Sequence, residues 1–404
     1  MTEVFKPARP ADVAQALAQV KGAIEVRGSG SKRALGRPMP EGIAVLDLSG
    51  LAEITLYESE ELVLSARAGT PIKDVRLALA EKNQELAFDP PDYSGLFGGR
   101  DAGTLGGAIA CNLSGPRRLK AGAARDHILG FAGVNGRGEE FKSGGRVMKN
   151  VTGFDLSKLI AGSYGTLAAL TDVTVKVLPR PEKIRTVLVF GLAVDSAVAA
   201  MRESLGSAHE VAAAAHLPKD AAQASAVDLV ARAGASVTAL RIEGPGPSAE
   251  YRCRALRGLM DAHGPTEELH SQNSDLFWRE VRDVAVFAAD AAAQVWRLSV
   301  PPADGARVAG ALAARLKGRF FLDWGGGLIW LALDPLPDAG AEVVRGVLPP
   351  DGGHATLIRA EASVRARVAV FQPPSPALAE LARRIKEGFD PDRRLNPGRM
   401  FADV

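Results

Sequence analysis

Residues 103–115 of this chain read GTLGGAIACNLSG, and this stretch constrains the fold most strongly. Gly106 and Gly107 carry no Cβ, so the backbone there can press against a planar or extended ligand. Thr104, Asn112 and Ser114 supply small hydrogen-bonding groups around them. The alternative is a glycine-rich helix start packed tightly on a strand. Cys111 is interpreted as a small packing residue, because no histidine or other base is paired with it by motif.

Two further glycine-rich segments flank this stretch. RGSGSKRALG (27–36) follows a predicted strand and offers backbone N–H groups that suit a pyrophosphate, although an ordinary surface turn is the alternative. It is neither a Walker loop nor a complete Rossmann fingerprint. GSYGTLAAL (162–170) repeats the pattern of glycines, hydroxyls and an apolar strand. Three such segments, each at the end of an element, predict one long ligand such as a dinucleotide.

The elements around these segments alternate first and then change in character. Helices are predicted at 10–21 and 70–83, with Thr70 as N-cap and Pro71 at the first helical position, and strands at 24–28, 44–50, 52–56 and 61–69. After a boundary at Pro179 and Pro181, alanine-rich helices are predicted at 193–205, 218–234 and 305–318, and strands at 186–192, 236–244 and 326–334. The predicted fold class is therefore α+β, with domains at 1–180 and 181–371 and a C-terminal segment at 372–404.

Composition narrows the function classes. A length of 404 residues with 47% apolar content predicts two or three packed units. A net charge of +2, without a basic block, gives no electrostatic footprint for nucleic acid. Two cysteines exclude a disulfide framework and fit a reducing compartment. Without a visible signal peptide or spanning segment, the chain is expected to be cytoplasmic, with any membrane association through a partner.

Several motifs along the chain together resemble those of one protein family. RGSGSK (27–32), PPDYSG (90–95), GTLGGAIACNLSG, RDHILG (125–130) and the run from 149 to 181 resemble the FAD-binding domain of the vanillyl-alcohol-oxidase/p-cresol-methylhydroxylase (PCMH) family. FDPDRRLNPGRM (389–400) is similar to the closing motif of FAD-linked oxidases. GPRR (115–118), GGRVMKNVTGFDLSKL (144–159), FWREVR (277–282), VWRLSVP (295–301), DWGGGLIWL (323–331) and GGHATLIR (352–359) are similar to FAD-binding subunits of bacterial glycolate oxidase complexes.

The resemblance implies a PCMH-type FAD-binding domain of two subdomains, followed by an α+β domain of the FAD-linked-oxidase type. It also implies these FAD-binding residues: Gly28, Ser29, Gly30, Ser31, Lys32, Pro91, Thr104, Gly106, Gly107, Asn112, Ser114, Gly115, Asp126, Gly162, Gly165, Thr166 and Leu170. Relatives often carry Glu where this chain has Tyr164. Family members with covalent flavin commonly use a histidine beside the first loop, and RGSGSKRALG has none, so FAD is expected to be non-covalent.

The reaction implied by the resemblance is oxidation of a small 2-hydroxy acid, such as glycolate to glyoxylate. It requires a base for the hydroxyl proton, a cation for the carboxylate and an electron acceptor. Related dehydrogenases use a metal-binding histidine pair, but the six histidines here are scattered, and no metal site is predicted. His354, with Arg297 and Arg359 as carboxylate clamps, is the candidate catalytic set. The alternative for His354 is a structural histidine at the start of a strand.

Three functions remain open from the sequence. The favoured one is an FAD-binding subunit that works with a catalytic FAD subunit and an iron–sulfur subunit of a glycolate oxidase complex, to which electrons pass through the flavin. Its location would be cytoplasmic, peripheral at the inner membrane only through the complex. The second is an independent FAD-dependent D-2-hydroxy-acid dehydrogenase of the D-lactate type. The third is a non-catalytic scaffold with a relic flavin fold, against which the intact glycines speak.

Overall fold

The computed structural model describes residues 2–99, 101–147, 153–350 and 352–402, and every structural statement below concerns these residues. Of the predicted motif 144–159, residues 148–152 lie outside the described part. Within it, no helix is both long and apolar enough to cross a bilayer.

A small parallel sheet opens the chain. Its elements are β1 (Val4–Phe5), α1 (Pro10–Gln19), β2 (Ile24–Arg27) and β3 (Ala44–Asp47), with the strands in the order β1-β3-β2. Helix α1 buries Val13 and Leu17, as its predicted spacing requires, against Ile24 and Leu46. The predicted strand 44–50 is wrong after Asp47. There the Asp47 carboxylate accepts the N–H of residue 49 and turns the chain into a 3-10 turn.

The next unit is a five-stranded antiparallel sheet with short helices and a two-stranded ribbon of β6 and β10. Its elements are β4 (Ile54–Glu58), β5 (Val63–Arg67), α2 (Ile72–Ala80), β6 (Gln84–Glu85), α3 (Ser94–Phe97), α4 (Leu105–Ala110), α5 (Arg118–Ala121), α6 (Ala124–His127), β7 (Ile128–Asn135), β8 (Glu140–Gly144), α7 (Leu156–Ile160), β9 (Ala168–Lys176) and β10 (Leu178–Pro179). The sheet order is β4-β5-β9-β7-β8. The predicted cap of α2 is wrong, because the Thr70 hydroxyl pairs with the backbone N–H and C=O of Glu53 and Pro71 takes the capping position.

An eight-stranded antiparallel sheet forms the second half. Its elements are β11 (Lys183–Phe190), α8 (Val194–Gly206), β12 (Ala213–Leu217), α9 (Lys219–Ala222), α10 (Asp228–Ala231), β13 (Val237–Gly244), α11 (Gly246–Met260), β14 (Thr266–His270), α12 (Ser271–Asp283), β15 (Gln294–Ser299), α13 (Gly305–Arg315), β16 (Gly318–Asp323), β17 (Leu328–Leu333), α14 (Ala341–Gly346), β18 (His354–Arg359) and α15 (Ala362–Arg367). Strands follow the order β14-β11-β13-β12-β16-β17-β15-β18. A final helix, α16 (Pro376–Phe389), returns to the first half.

The two faces of the large sheet are covered differently. Helices α8, α11, α13 and α14 bury one face. The other packs against α9, α10 and α12 and against residues of the first half, among them Leu35, Tyr93 and Leu96. The single helix predicted at 218–234 is two short helices. Between them Ser225 and the N–H of residue 226 donate to the carboxylate of Glu280, which interrupts the helix.

Buried ion pairs fix this second face against the first half of the chain. The guanidinium of Arg117 pairs with Glu85 and with Glu243 of β13, the latter at 2.8 Å. Arg282 of α12 reaches Asp89 at 3.0 Å. Because the pairs Arg117–Glu243 and Arg282–Asp89 join side chains from the two halves, the large sheet is held at one position over the loops that carry the glycine-rich segments.

Candidate functional site

Part of the predicted cofactor set lines one groove. The groove lies between the loop after β2, the start of α4, the start of β9 and the C-terminal tail. The predicted residues that line it are Gly28, Ser29, Gly30, Ser31, Lys32, Thr104, Gly106, Gly107, Gly165 and Leu170. Residues from three sequence-distant glycine-rich segments therefore share one elongated site.

The loop after β2 presents unpaired donors to the groove. In the described structure, the backbone N–H groups of residues 29–32 donate to no protein acceptor. The ammonium of Lys32 donates to the carbonyl of Ala102 at 2.9 Å and to the Ser31 hydroxyl at 3.3 Å, and no carboxylate within the described ranges pairs with it. Successive free N–H groups beside a cation are the arrangement that binds a phosphate or pyrophosphate.

Close packing explains why glycine occupies three of these positions. A Cβ at Gly28 would lie 2.6 Å from the hydroxyl oxygen of Thr104, and one at Gly107 would lie 3.2 Å from the same oxygen. Thr104 itself caps α4 by accepting the N–H of Gly107. At Gly106, in contrast, a Cβ would lie 2.6–2.7 Å from Ala68. The helix-on-strand alternative thus explains Gly106, whereas Gly107 borders the groove.

The C-terminal tail supplies lining residues that were predicted only as members of a motif. The side-chain oxygen of Asn396 accepts the N–H of Val26 at 2.8 Å, and its amide donates to the carbonyl of Tyr164 at 2.8 Å. Arg399 donates to the carbonyl of Lys32 at 2.9 Å. The tail therefore ties the first glycine-rich loop to the third. The motif 389–400 was the signal, but it does not show which of its polar side chains turn inward.

Electrostatics of the groove favour an anion. Burial lowers the pKa of Lys32 and of Arg399, so each cation is held there at a cost. Neither has a carboxylate partner within 4.0 Å in the described part of the chain. An ionised pyrophosphate would offset the desolvation of both charges and would accept the free N–H groups of residues 29–32. The residues present therefore fit the pyrophosphate of FAD.

Other predicted cofactor residues have side chains engaged elsewhere. The Asn112 side chain accepts the N–H of residue 125 at 3.0 Å, the Ser114 hydroxyl accepts that of residue 124 at 2.9 Å, and Asp126 accepts that of residue 123 at 2.9 Å. These three bonds shape the loop between α4 and α6. The three side chains do not line the groove, because each is hydrogen-bonded to the backbone of this loop.

The remaining predicted positions also lie beside the groove rather than in its lining. Pro91 is buried near the contact between the two halves, and a Cβ at Gly115 would lie 2.6 Å from the carbonyl of Asp89. Thr166 donates to the carbonyl of Ser163 at 2.7 Å inside its own turn. Gly162 adopts a φ of 94°, which that turn requires of a residue without a Cβ.

The structure gives Arg359 a different role from the predicted carboxylate clamp. Its guanidinium donates to the backbone carbonyls of Ala293 at 2.8 Å and Leu96 at 2.9 Å, and also to those of Phe287 and Asp290. The hydrogen-bond donors of Arg359 are thus occupied by these carbonyls at the contact between the two halves. Arg359 therefore fastens backbone segments and has no free edge for a substrate.

Arg297 and His354 lie on adjacent strands and on the same face of the large sheet. In the register of β15 and β18, Arg297 is opposite Thr356 and Ser299 is opposite His354. The guanidinium carbon of Arg297 lies 4.9 Å from the centre of the Trp324 ring. Partial desolvation, together with Arg297 and Arg118, lowers the pKa of His354, so the exposed imidazole is neutral near pH 7. Across the ranges described, no group of three or more His, Cys, Asp or Glu is arranged to hold a metal ion.

Comparison with known protein families agrees with this geometry. Residues 2–144 match the family described as FAD binding domain, and residues 372–400 match the C-terminal domain of FAD linked oxidases. Both matched segments contribute to the lining of the groove. These matches confirm FAD as the predicted cofactor.

Individual relatives cover the chain to different extents. Over 403 residues the chain is 33% identical to the glycolate oxidase subunit GlcE of Escherichia coli, covering 98% of this chain and 99% of the relative. It is 34% identical to the subunit GlcD of Bacillus subtilis over 171 residues, 42% of this chain and 35% of that one. The solved structure of p-cresol methylhydroxylase superposes with a TM-score of 0.72 at 15% identity, covering 99% of this chain and 88% of that one. The predicted α+β, PCMH-type fold class is thereby confirmed.

Proposed function

Because the chain belongs to the family of FAD-dependent oxidoreductases that includes the glycolate oxidase subunit GlcE, we propose that it is the FAD-binding subunit of a glycolate oxidase complex. The complex oxidises glycolate to glyoxylate, and electrons leave through the flavin to an iron–sulfur subunit. A second, catalytic flavoprotein subunit completes the assembly. The observation that carries this proposal is the groove in which, among the described residues, Lys32 and Arg399 have no carboxylate partner and the N–H groups of residues 29–32 have no protein acceptor.

The residues near the groove match part of what the chemistry requires. Glycolate loses two electrons and two protons when it becomes glyoxylate, and FAD, when bound, supplies the two-electron acceptor. A cation must hold the carboxylate, and Arg297 offers one. The neutral imidazole of His354 can accept the hydroxyl proton. Once protonated it would repel Arg297, so the substrate carboxylate has to be present for this transfer to be favourable.

FAD is proposed to be bound without a covalent link. In the absence of a histidine, a covalent link to the flavin could use Cys111, which borders the groove. Burial raises the pKa of the Cys111 thiol, so little of the nucleophilic thiolate is present. Acid precipitation of the purified protein should release the yellow chromophore into the supernatant. Flavin retained in the pellet would contradict the proposal.

A second candidate is an independent D-2-hydroxy-acid dehydrogenase, which the placement of Arg297 and His354 on one sheet face favours. Anaerobic stopped-flow of the FAD-loaded chain against glycolate separates the two. We expect little bleaching of the flavin band with the isolated chain, and turnover after addition of the catalytic flavoprotein and iron–sulfur subunits. Fast bleaching of the isolated chain would reject the role as a dependent subunit in favour of the dehydrogenase. A reconstituted complex that turns over glycolate only when this chain is present would support the proposal, whereas full activity without it would reject it.

A further inference from the structure

Two arginines from opposite halves of the chain meet over one tryptophan ring. The guanidinium carbon of Arg118, at the start of α5, lies 4.5 Å from the ring centre of Trp324, and that of Arg297 lies 4.9 Å from it. Trp324 is buried, and its indole N–H donates to the carbonyl of Gly115 at 3.1 Å. The ring is thus fixed to the loop that carries Arg118 and to the sheet that carries Arg297.

Adjacent arginines in this loop have separate roles. Arg117 is buried and forms ion pairs with Glu85 and Glu243, so its charge is neutralised within the protein. Arg118 is half-buried and, in the described residues, has neither a carboxylate within 4.0 Å nor a hydrogen-bond acceptor for its guanidinium. The same holds for Arg297 in β15.

Two unneutralised cations on one ring raise the free energy of the empty site. Burial and the charge of Arg297 lower the pKa of Arg118. The carboxyl of Asp323 forms no ion pair with either guanidinium among the described residues. It accepts the N–H of Trp324, and burial raises its pKa to about 7, so only about half of it is ionised at pH 7. An aromatic face stabilises a guanidinium but adds no negative charge. A carboxylate that contacts both guanidiniums would reduce their repulsion and accept their N–H groups.

Arg297 of this cluster lies near one residue that lines the cofactor groove. Tyr164 lines the groove, and its ring packs edge-on against Phe371 at 4.9 Å between ring centres. Burial raises the pKa of Tyr164, and the charge of Arg297 opposes that rise, which places Arg297 within electrostatic range of the groove wall. His354 is on the same sheet face as Arg297.

We propose that Arg118 and Arg297 together bind the carboxylate of a small 2-hydroxy acid, with Trp324 holding the two guanidiniums in position. The identity of the acid rests on the proposed function, whereas the anion site rests on the geometry of the three side chains. Arg118 becomes a specificity-determining residue supplied by the FAD-binding half. Because guanidinium matches carboxylate with two parallel hydrogen bonds, the site selects an ionised acid over its neutral amide.

The test is calorimetric titration of the FAD-loaded chain with glycolate, with oxalate and with the neutral isostere glycolamide. We expect glycolate and oxalate to bind and glycolamide to bind at least tenfold more weakly. Arg118→Gln and Arg297→Gln should each weaken glycolate and oxalate binding by about tenfold or more, as expected for the loss of one charged hydrogen-bond donor. Arg254→Gln removes the same charge from the exposed face of α11 and should bind like the parent. FAD content and melting temperature verify that each variant is folded.

Arginine modification of the unaltered protein covers the case in which a glutamine variant does not fold. A dicarbonyl reagent should modify Arg118 and Arg297 in the free protein, as detected by peptide mapping. Oxalate should protect both arginines from the reagent but leave Arg254 reactive. Equal modification with and without oxalate, parent-like affinity in both glutamine variants, or glycolamide binding as tight as glycolate would each reject the anion site.

The anion site and the proposed function fail separately. Arginine-dependent glycolate binding, with no flavin reduction in the chain or in the reconstituted complex, would keep the site and reject the function. Glycolate turnover in the complex, undiminished by Arg118→Gln and Arg297→Gln, would keep the function and reject the site.

Discussion

Asp390→Asn should loosen the C-terminal tail from the FAD-binding half. Lys386 of α16 and Asp390 are 1% and 0% exposed, and their charged atoms lie 2.7 Å apart. The Lys386 ammonium also donates to the carbonyls of Thr166 at 2.7 Å and Leu395 at 3.0 Å. The substitution removes the negative charge and leaves a buried cation with two neutral acceptors.

The expected loss in unfolding free energy is about 3–5 kcal/mol, the usual cost of removing one partner of a buried pair. Burial already lowers the pKa of Lys386, and Asp390 is the main group opposing that shift. In the variant the amine can escape the penalty by losing its proton. Because an unfolded lysine has a pKa of about 10.4, this costs at most about 4.6 kcal/mol at pH 7 and limits the damage. FAD affinity should also fall, since Asn396 and Arg399 of the tail line the groove.

Urea unfolding followed by circular dichroism measures the first effect, and flavin fluorescence titration measures the second. Glu380→Gln, which breaks an exposed ion pair with Arg383 on the same helix, should leave the unfolding midpoint at the parent value. The double variant Lys386→Met/Asp390→Leu should recover only part of the lost stability. It removes the buried charge, but it leaves the carbonyls of Thr166 and Leu395 and the N–H groups that Asp390 accepts without partners. An Asp390→Asn protein that unfolds at the parent urea concentration would refute the reasoning.

Three further outcomes are expected. Gly107→Val should abolish FAD binding in a reconstitution assay while Cys111→Ser keeps it, because the valine side chain would point at Thr104 and into the groove; equal flavin occupancy in both would remove this segment from the site. Burial lowers the pKa of His216 to about 4, below the 6.5 of an unfolded histidine. The contribution of the buried neutral imidazole to the free energy of unfolding is therefore complete above pH 6.5, and about 3 kcal/mol of it is lost as the pH falls to 4. Urea unfolding across this range should show a smaller decline in His216→Gln than in the parent, and an identical decline would contradict the assignment. Arg359→Leu should cost about 3 kcal/mol or more of stability by leaving buried carbonyls unpaired, yet bind glycolate like the parent once folded; weaker binding at full FAD content would restore its role as a clamp.

The sequence alone determined the fold class and the cofactor. A Cβ at Gly28 or Gly106 would collide with neighbouring atoms, and one at Gly107 would lie in tight contact with Thr104. Such local steric demands appear directly in the sequence as glycines. The periodic spacing of apolar residues also predicted strands and helices, except where a side chain from a distant element interrupts the predicted helix. Glu280 interrupts the predicted helix 218–234 from a distant helix, which no local propensity reveals. The division into domains at 180 and 371 stays a prediction.

Tertiary structure alone decided which charged side chains remain free. Arg117 and Arg118 are neighbours in sequence, yet two glutamates neutralise Arg117, whereas Arg118 lies against Trp324 with no carboxylate partner in the described part of the chain. Arg359 and Arg297 were both predicted to bind a carboxylate, yet backbone carbonyls occupy the hydrogen-bond donors of Arg359. A guanidinium can bind a ligand only with the hydrogen-bond donors that protein acceptors leave free, and those acceptors come from residues far away in the chain. Sequence fixes which residue types are present, but only folding determines which of their charges the protein itself neutralises.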